Sequence, residues 1–166
     1  VVVQRARGDM SAILTGLLPP VREKAEALLA EWNRDHGKPL HAASVWRSPV
    51  EQMALYQIGR RGRPGESIVT TLRFGYHNIG CALDVCPVEL LTVKNWGPAS
   101  DLWTELGAMG ERCGLKWGGR WETFHDLPHF ELRPILPLSA IKSIYLRTGE
   151  VPALTFAPDG PDGAVA

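Results

Sequence analysis

The sequence predicts a small, single α+β domain in which helices flank a central antiparallel sheet. Three observations point there. Apolar residues recur at helical spacing in three separate stretches, and in another stretch they alternate at strand spacing. The chain has 166 residues with 45% hydrophobic content, enough for one buried core without staples. The domain is expected over residues 1–149, with residues 150–166 as a flexible tail rich in Pro, Gly, Ala and Asp.

The first helix follows Pro19-Pro20, where Val21, Ala25, Leu28, Leu29 and Trp32 share one face, and it stops before Gly37. Lys38 to Trp46 then reads as a strand. Ser48-Pro49-Val50-Glu51 opens the next helix with a capping box and a proline in its first turn, so Arg47 sits at a strand-to-helix corner. Arg60, Arg61, Arg63, Pro64 and Gly65 form a basic turn-rich loop, either simply solvated or facing anionic groups of a partner. From Gly80, the residues Cys81, Leu83 and Val85 alternate with Ala82, Asp84 and Cys86, which makes a strand with Asp84 opposite Leu83 and Val85. Leu91 to Ala99 is a connection. Ser100 can cap a helix lined by Leu102, Leu106, Met109 and Cys113 that ends at Gly114. Leu115 to Trp117 enters a further strand, Gly118-Gly119 permits a tight turn, and Phe130 to Leu132 is another short strand. Leu138, Ile141, Ile144 and Tyr145 mark a last helix ending at Gly149.

Composition removes several classes of function. Formal net charge is zero, so nothing draws the whole chain toward nucleic acid or an anionic surface. No run approaches the roughly 20 apolar residues that span a bilayer. Val1 to Met10 carries two arginines without a following long apolar run, so no signal peptide is read and a cytoplasmic monomer is expected. Three cysteines, Cys81, Cys86 and Cys113, make neither a disulfide framework nor a Cys-x-x-Cys motif; they read as small buried apolar residues. Cys86 shares the face of Asp84.

The chemistry gathers in two stretches, Gly75 to Val85 and Trp117 to Phe130. A catalytic zinc takes three protein ligands and leaves one position open. His77, Asp84 and His129 can supply them. A carboxylate in an otherwise apolar strand needs a partner, and a cation shared with a loop histidine provides one. Asp126, three residues before His129, suits a general base. Each residue taken singly also has a plain structural role: a histidine held by hydrogen bonds, Asp126 as a turn residue ahead of Pro128, Arg47 as a surface charge. Trp117 and Trp121 either wall a cleft or pack beneath it, and His125 either orients substrate or faces solvent.

Taken together, His77, the aspartate seven residues on, and Asp126-Leu127-Pro128-His129 resemble the M15 zinc peptidases. That family includes D-alanyl-D-alanine carboxypeptidases and dipeptidases and the phage endolysins that cut the L-alanyl-D-glutamate bond of peptidoglycan. The resemblance implies a hedgehog/D-Ala-D-Ala peptidase-like fold, Zn2+ held by His77, Asp84 and His129, and Asp126 as the base. Trp46-Arg47-Ser48, followed by Gln52, matches the family's upstream segment, whose arginine stabilises the oxyanion. Gly-x-His-Asn-x-Gly-x-Ala-x-Asp, from Gly75 to Asp84, is closer to the endolysin branch. Similarity runs over roughly residues 20 to 135, and Gly75 departs from the serine usual there.

The resulting expectation is a zinc-dependent endolysin that hydrolyses the L-alanyl-D-glutamate bond of the peptidoglycan stem peptide, acting on the wall after release from the cytoplasm. Three alternatives stand beside it. A D-alanyl-D-alanine carboxypeptidase would use the same motif. A non-catalytic zinc-containing binding module, like the signalling domain of hedgehog proteins, would keep the ligands and not the base. A two-His, one-carboxylate iron oxygenase would carry its histidine and carboxylate closer in sequence.

Overall fold

The computed structural model describes residues 14–60 and 65–158. Four strands form one antiparallel sheet in the order β1-β2-β4-β3, with β1 Leu40–Ser44, β2 Ala82–Pro87, β3 Lys116–Trp117 and β4 His129–Glu131. Four α-helices lying wholly within the described residues surround it: α1 Pro19–His36, α2 Pro49–Gln57, α3 Asp101–Arg112 and α4 Leu138–Thr148. This is the α+β architecture that the apolar periodicities predict.

Local chemistry explains where these elements begin and end. Gly37 terminates α1 in the left-handed conformation, and its N–H donates to Asn33. Ser48 and Glu51 form the expected reciprocal capping box on α2. The Ser100 hydroxyl accepts from the Leu102 N–H at the start of α3.

Period-two alternation gives the sheet two unlike faces. Leu83 pairs with Phe130, and Phe130 with Trp117, across three strands on one face. α3 packs closely there because Gly107 and Gly110 lack side chains: a Cβ at either would run into the rings of Trp117 and Phe130 respectively. α1 adds Val21, Ala25, Leu28 and Trp32 to the same continuous core. The next rung, Asp84 opposite His129, projects to the other face, and β1 brings Ser44 opposite Asp84 beyond a register shift.

Several expectations meet a different structure. Arg61, Arg63 and Pro64 lie outside the described residues, while the Arg60 guanidinium is used internally, donating to the carbonyls of Tyr56 and Thr70. Val151, Leu154 and Phe156 pack against the core, and the Thr155 carbonyl accepts from the Ile135 N–H; the expected tail beyond Pro158 lies outside the described residues. The three cysteines are free, as read. Among the described residues no helix is long and apolar enough to cross a membrane.

Candidate metal centre

Three residues from three elements meet on the polar face. Asp84 and His129 are direct cross-strand neighbours on β2 and β4, so the antiparallel register alone places their side chains together. His77 comes from a 3-10 turn, Tyr76–Ile79, which ends at Gly80 in the left-handed conformation. A side chain at Gly80 would press on the Gly16 carbonyl, so the turn needs glycine twice over. The turn is stitched to the end of β1: the Arg47 N–H donates to the His77 carbonyl at 3.2 Å, and Asn78 Nδ2 donates to the Arg47 carbonyl at 2.8 Å.

Both histidines are anchored on one ring nitrogen and turn the other toward Asp84. His77 Nδ1 lies 2.6 Å from the Val45 carbonyl, and His129 Nε2 lies 3.0 Å from Glu131 Oε2. Carbonyl and carboxylate oxygens only accept, so each anchored nitrogen carries its proton. The inner nitrogens, His77 Nε2 and His129 Nδ1, stand 3.3 Å apart, and each is 3.1 Å from Asp84 Oδ1. Three ligand atoms around a tetrahedral ion at about 2.0 Å are separated by about 3.3 Å, so this triangle fits a small divalent cation. His77, Asp84 and His129 are also the group of potential ligands whose atoms converge among the described residues.

The electrostatics of the apoprotein match such a site. Burial works against the charge on Asp84, yet the His77 and His129 rings hold its carboxyl well below the usual carboxylate range. Burial likewise disfavours an imidazolium at His129, but hydrogen bonds to Asp84 and Glu131 push it up to about 10. Asp126 approaches from the turn before β4. Gly118 allows that approach, since a Cβ there would crowd the Asp126 carbonyl and the His129 Cβ, and the Asp126 N–H donates to the Gly118 carbonyl. Burial, with the Asp84 charge second, pushes the Asp126 carboxyl up to about 6 against the pull of His129, His77 and Arg47. A carboxylate so placed ionises near neutrality, which suits proton transfer.

Arg47 is fixed at the rim. Its guanidinium donates to Gln52 Oε1 at 2.8 Å and Ser44 Oγ at 2.9 Å, and it reaches Asp84 Oδ2 at 3.4 Å. Gln52 is itself buried and donates to the Leu72 carbonyl at 2.7 Å. Over its aligned length the chain is 33% identical to the peptidoglycan L-alanyl-D-glutamate endopeptidase CwlK of Bacillus subtilis, covering 79% of this chain and 81% of that protein.

The chain belongs to the M15 peptidase family. The M15 family model described as D-alanyl-D-alanine carboxypeptidase matches residues 70–132, which contain all three converging residues and Asp126. An L-alanyl-D-glutamate peptidase of Listeria phage A118 is 30% identical over 62% of this chain, which spans only 34% of that larger protein. The fold is shared with the L-Ala D-Glu endopeptidase ChiX of Serratia marcescens, with a TM-score of 0.52 at 24% identity over 74% of this chain and 85% of that one. As an M15 member the chain is a metallopeptidase, and its His-Asp-His triangle can hold the metal.

Other side chains fall into place around this M15 site. The Trp121 ring meets that of His129 at a tilt, with centroids 5.0 Å apart, while Trp117 is buried and donates its indole N–H to the Leu127 carbonyl at 2.7 Å. His125 is exposed, with Nδ1 3.1 Å from the Gly119 carbonyl. Cys86 stands outside the triangle, its thiol beside the Pro87 carbonyl and pushed up to about 12 by burial. Glu131 was missed in the sequence. It is 2% exposed and holds His129 on one oxygen and Arg133 on the other. Its signal was the spacing His129-x-Glu131, which puts both on one face of a strand.

Proposed function

We propose that this chain is a zinc-dependent endolysin that hydrolyses the L-alanyl-D-glutamate bond of the peptidoglycan stem peptide. The observation that carries the reading is the triangle of His77 Nε2, His129 Nδ1 and Asp84 Oδ1, with 3.1–3.3 Å edges, beside the half-buried Asp126 carboxyl, pushed up to about 6. The bond assignment is supported by the names of the CwlK and phage relatives.

In this reading His77, Asp84 and His129 hold the ion. Zinc, when bound, supplies Lewis acidity at the scissile carbonyl and makes water acidic enough to attack at neutral pH. Asp126 takes the proton of the attacking water on its carboxylate and delivers it to the leaving amine. The Arg47 guanidinium, held in place by Gln52 and Ser44, stabilises the oxygen that gains charge as the carbonyl becomes tetrahedral. The enzyme acts as a monomer that reaches the wall after release from the cytoplasm.

One other bond has direct support, because the matching family model is described as D-alanyl-D-alanine carboxypeptidase. Mass spectrometry of digested peptidoglycan separates the two. Fragments with a new D-glutamate amino end, lost with chelator and regained with zinc, are expected. Release of terminal D-alanine alone would select the carboxypeptidase.

A further inference from the structure

Glu131 has no part in the mechanism above, yet it is a nearly fully buried carboxylate with both oxygens engaged. Oε2 lies 3.0 Å from His129 Nε2, and Oε1 accepts from Arg133 Nε. The Arg133 guanidinium in turn lies over the Tyr76 ring at 5.8 Å, next to His77 in sequence. Burying a carboxylate is costly unless such partners are present, so the position does more than fill space.

The two converging histidines differ in what orients them. His77 is held on Nδ1 by the neutral carbonyl of Val45; His129 is held on Nε2 by a charged carboxylate. Both face a competing acceptor, because Asp84 Oδ1 stands 3.1 Å from His77 Nε2 and 3.1 Å from His129 Nδ1. Were the single proton of neutral His129 to settle on Nδ1, the lone pair would point away from the triangle and a ligand would be lost. Glu131 opposes that outcome, since it can only accept a hydrogen bond and so retains the proton on Nε2.

We propose that Glu131 is a positioning residue for the metal: it fixes the Nε2-protonated tautomer of His129 and thereby keeps Nδ1 as a ligand. This rests on the metal reading of the site. Hydrogen-bonding partners of this kind behind a ligand histidine typically change metal affinity by about 10- to 100-fold.

The test is zinc affinity by chelator competition for the wild type, Glu131→Gln and Arg133→Gln. A glutamine amide can donate to Nε2 and reverse the tautomer, so Glu131→Gln is expected to weaken zinc binding by about 10- to 100-fold. Arg133 is about half exposed, where solvent screens its charge, so Arg133→Gln should stay within about fivefold of the wild type. Wild-type affinity in Glu131→Gln, or an equal loss in Arg133→Gln, overturns the proposal, the latter because Glu131 would then serve Arg133. A measurement free of variants runs alongside: nitrogen-15 NMR of the zinc-loaded wild type should show the His129 proton on Nε2, and a proton on Nδ1 overturns the assignment. Failure of the wild type to bind zinc would remove the metal reading itself, an outcome distinct from the others.

Discussion

Adjacent rungs of one ladder do opposite work in this protein. Leu83 opposite Phe130 and Asp84 opposite His129 are one residue apart on β2 and β4, and the pleat sends them to opposite faces. The first rung is covered by α3 and fully buried in the apolar core. On the second, a carboxylate and two imidazoles hold one another in hydrogen-bonding contact, while the nearby Asp126 is disfavoured in its ionised form. Stability and chemistry are thus separated by the thickness of a single sheet, and substitutions on the two sides are expected to have different signatures.

The largest effect is expected from removing a converging residue. His129→Ala should lose zinc and lower peptide hydrolysis by about 10^4-fold or more, several kcal/mol of transition-state stabilisation, while near-ultraviolet circular dichroism stays native. Retained zinc with retained activity would dissolve the contrast. Phe130→Ala, its neighbour in sequence, should do the reverse, costing about 3–5 kcal/mol in denaturant unfolding, with hydrolysis per folded molecule little changed. At the rim, Arg47→Met should reduce kcat by about 10^2- to 10^3-fold with zinc still bound, as steady-state kinetics and metal analysis would show.

The smallest effect sharpens the comparison most, because it predicts a gain. In the apoprotein the Asp126 carboxyl is pushed up to about 6, above its ordinary value, so the residue favours folding least when ionised. The stability associated with its protonated form is present in acid and is lost as pH rises through about 6. Asp126→Asn should therefore stabilise the apoprotein by about 1–3 kcal/mol at pH 7, and the gain should vanish below about pH 4. Thermal melts across that range decide it; equal melting temperatures at pH 7 would mean that Asp126 is not strained by its surroundings.

Much of this was legible in the sequence because it is local. The capping box at Ser48, the glycine stop of α1 and the period-two alternation around Asp84 depend only on near neighbours. The triangle was legible for a different reason: the residue types and the motif spacing are chemically restrictive. What escaped was set by tertiary cover. Glu131 sits in a Phe-Glu-Leu alternation that would suit an exposed strand face, and only the packing of Arg133 and the neighbouring strands buries it. Arg60 looked available to a partner until Tyr56 and Thr70 proved to occupy it. Phe156 lies in a Pro-rich segment without periodicity, so nothing local announces that it packs against the core.

The central claim is that His77, Asp84 and His129 hold a metal and Asp126 moves a proton. It is tested most directly by the zinc content of purified Asp126→Ala, measured together with its turnover of peptidoglycan. One zinc per chain with hydrolysis reduced by about 10^2- to 10^4-fold is the expected result. Loss of the metal along with the activity would contradict it, because Asp126 would then be a ligand and not the base.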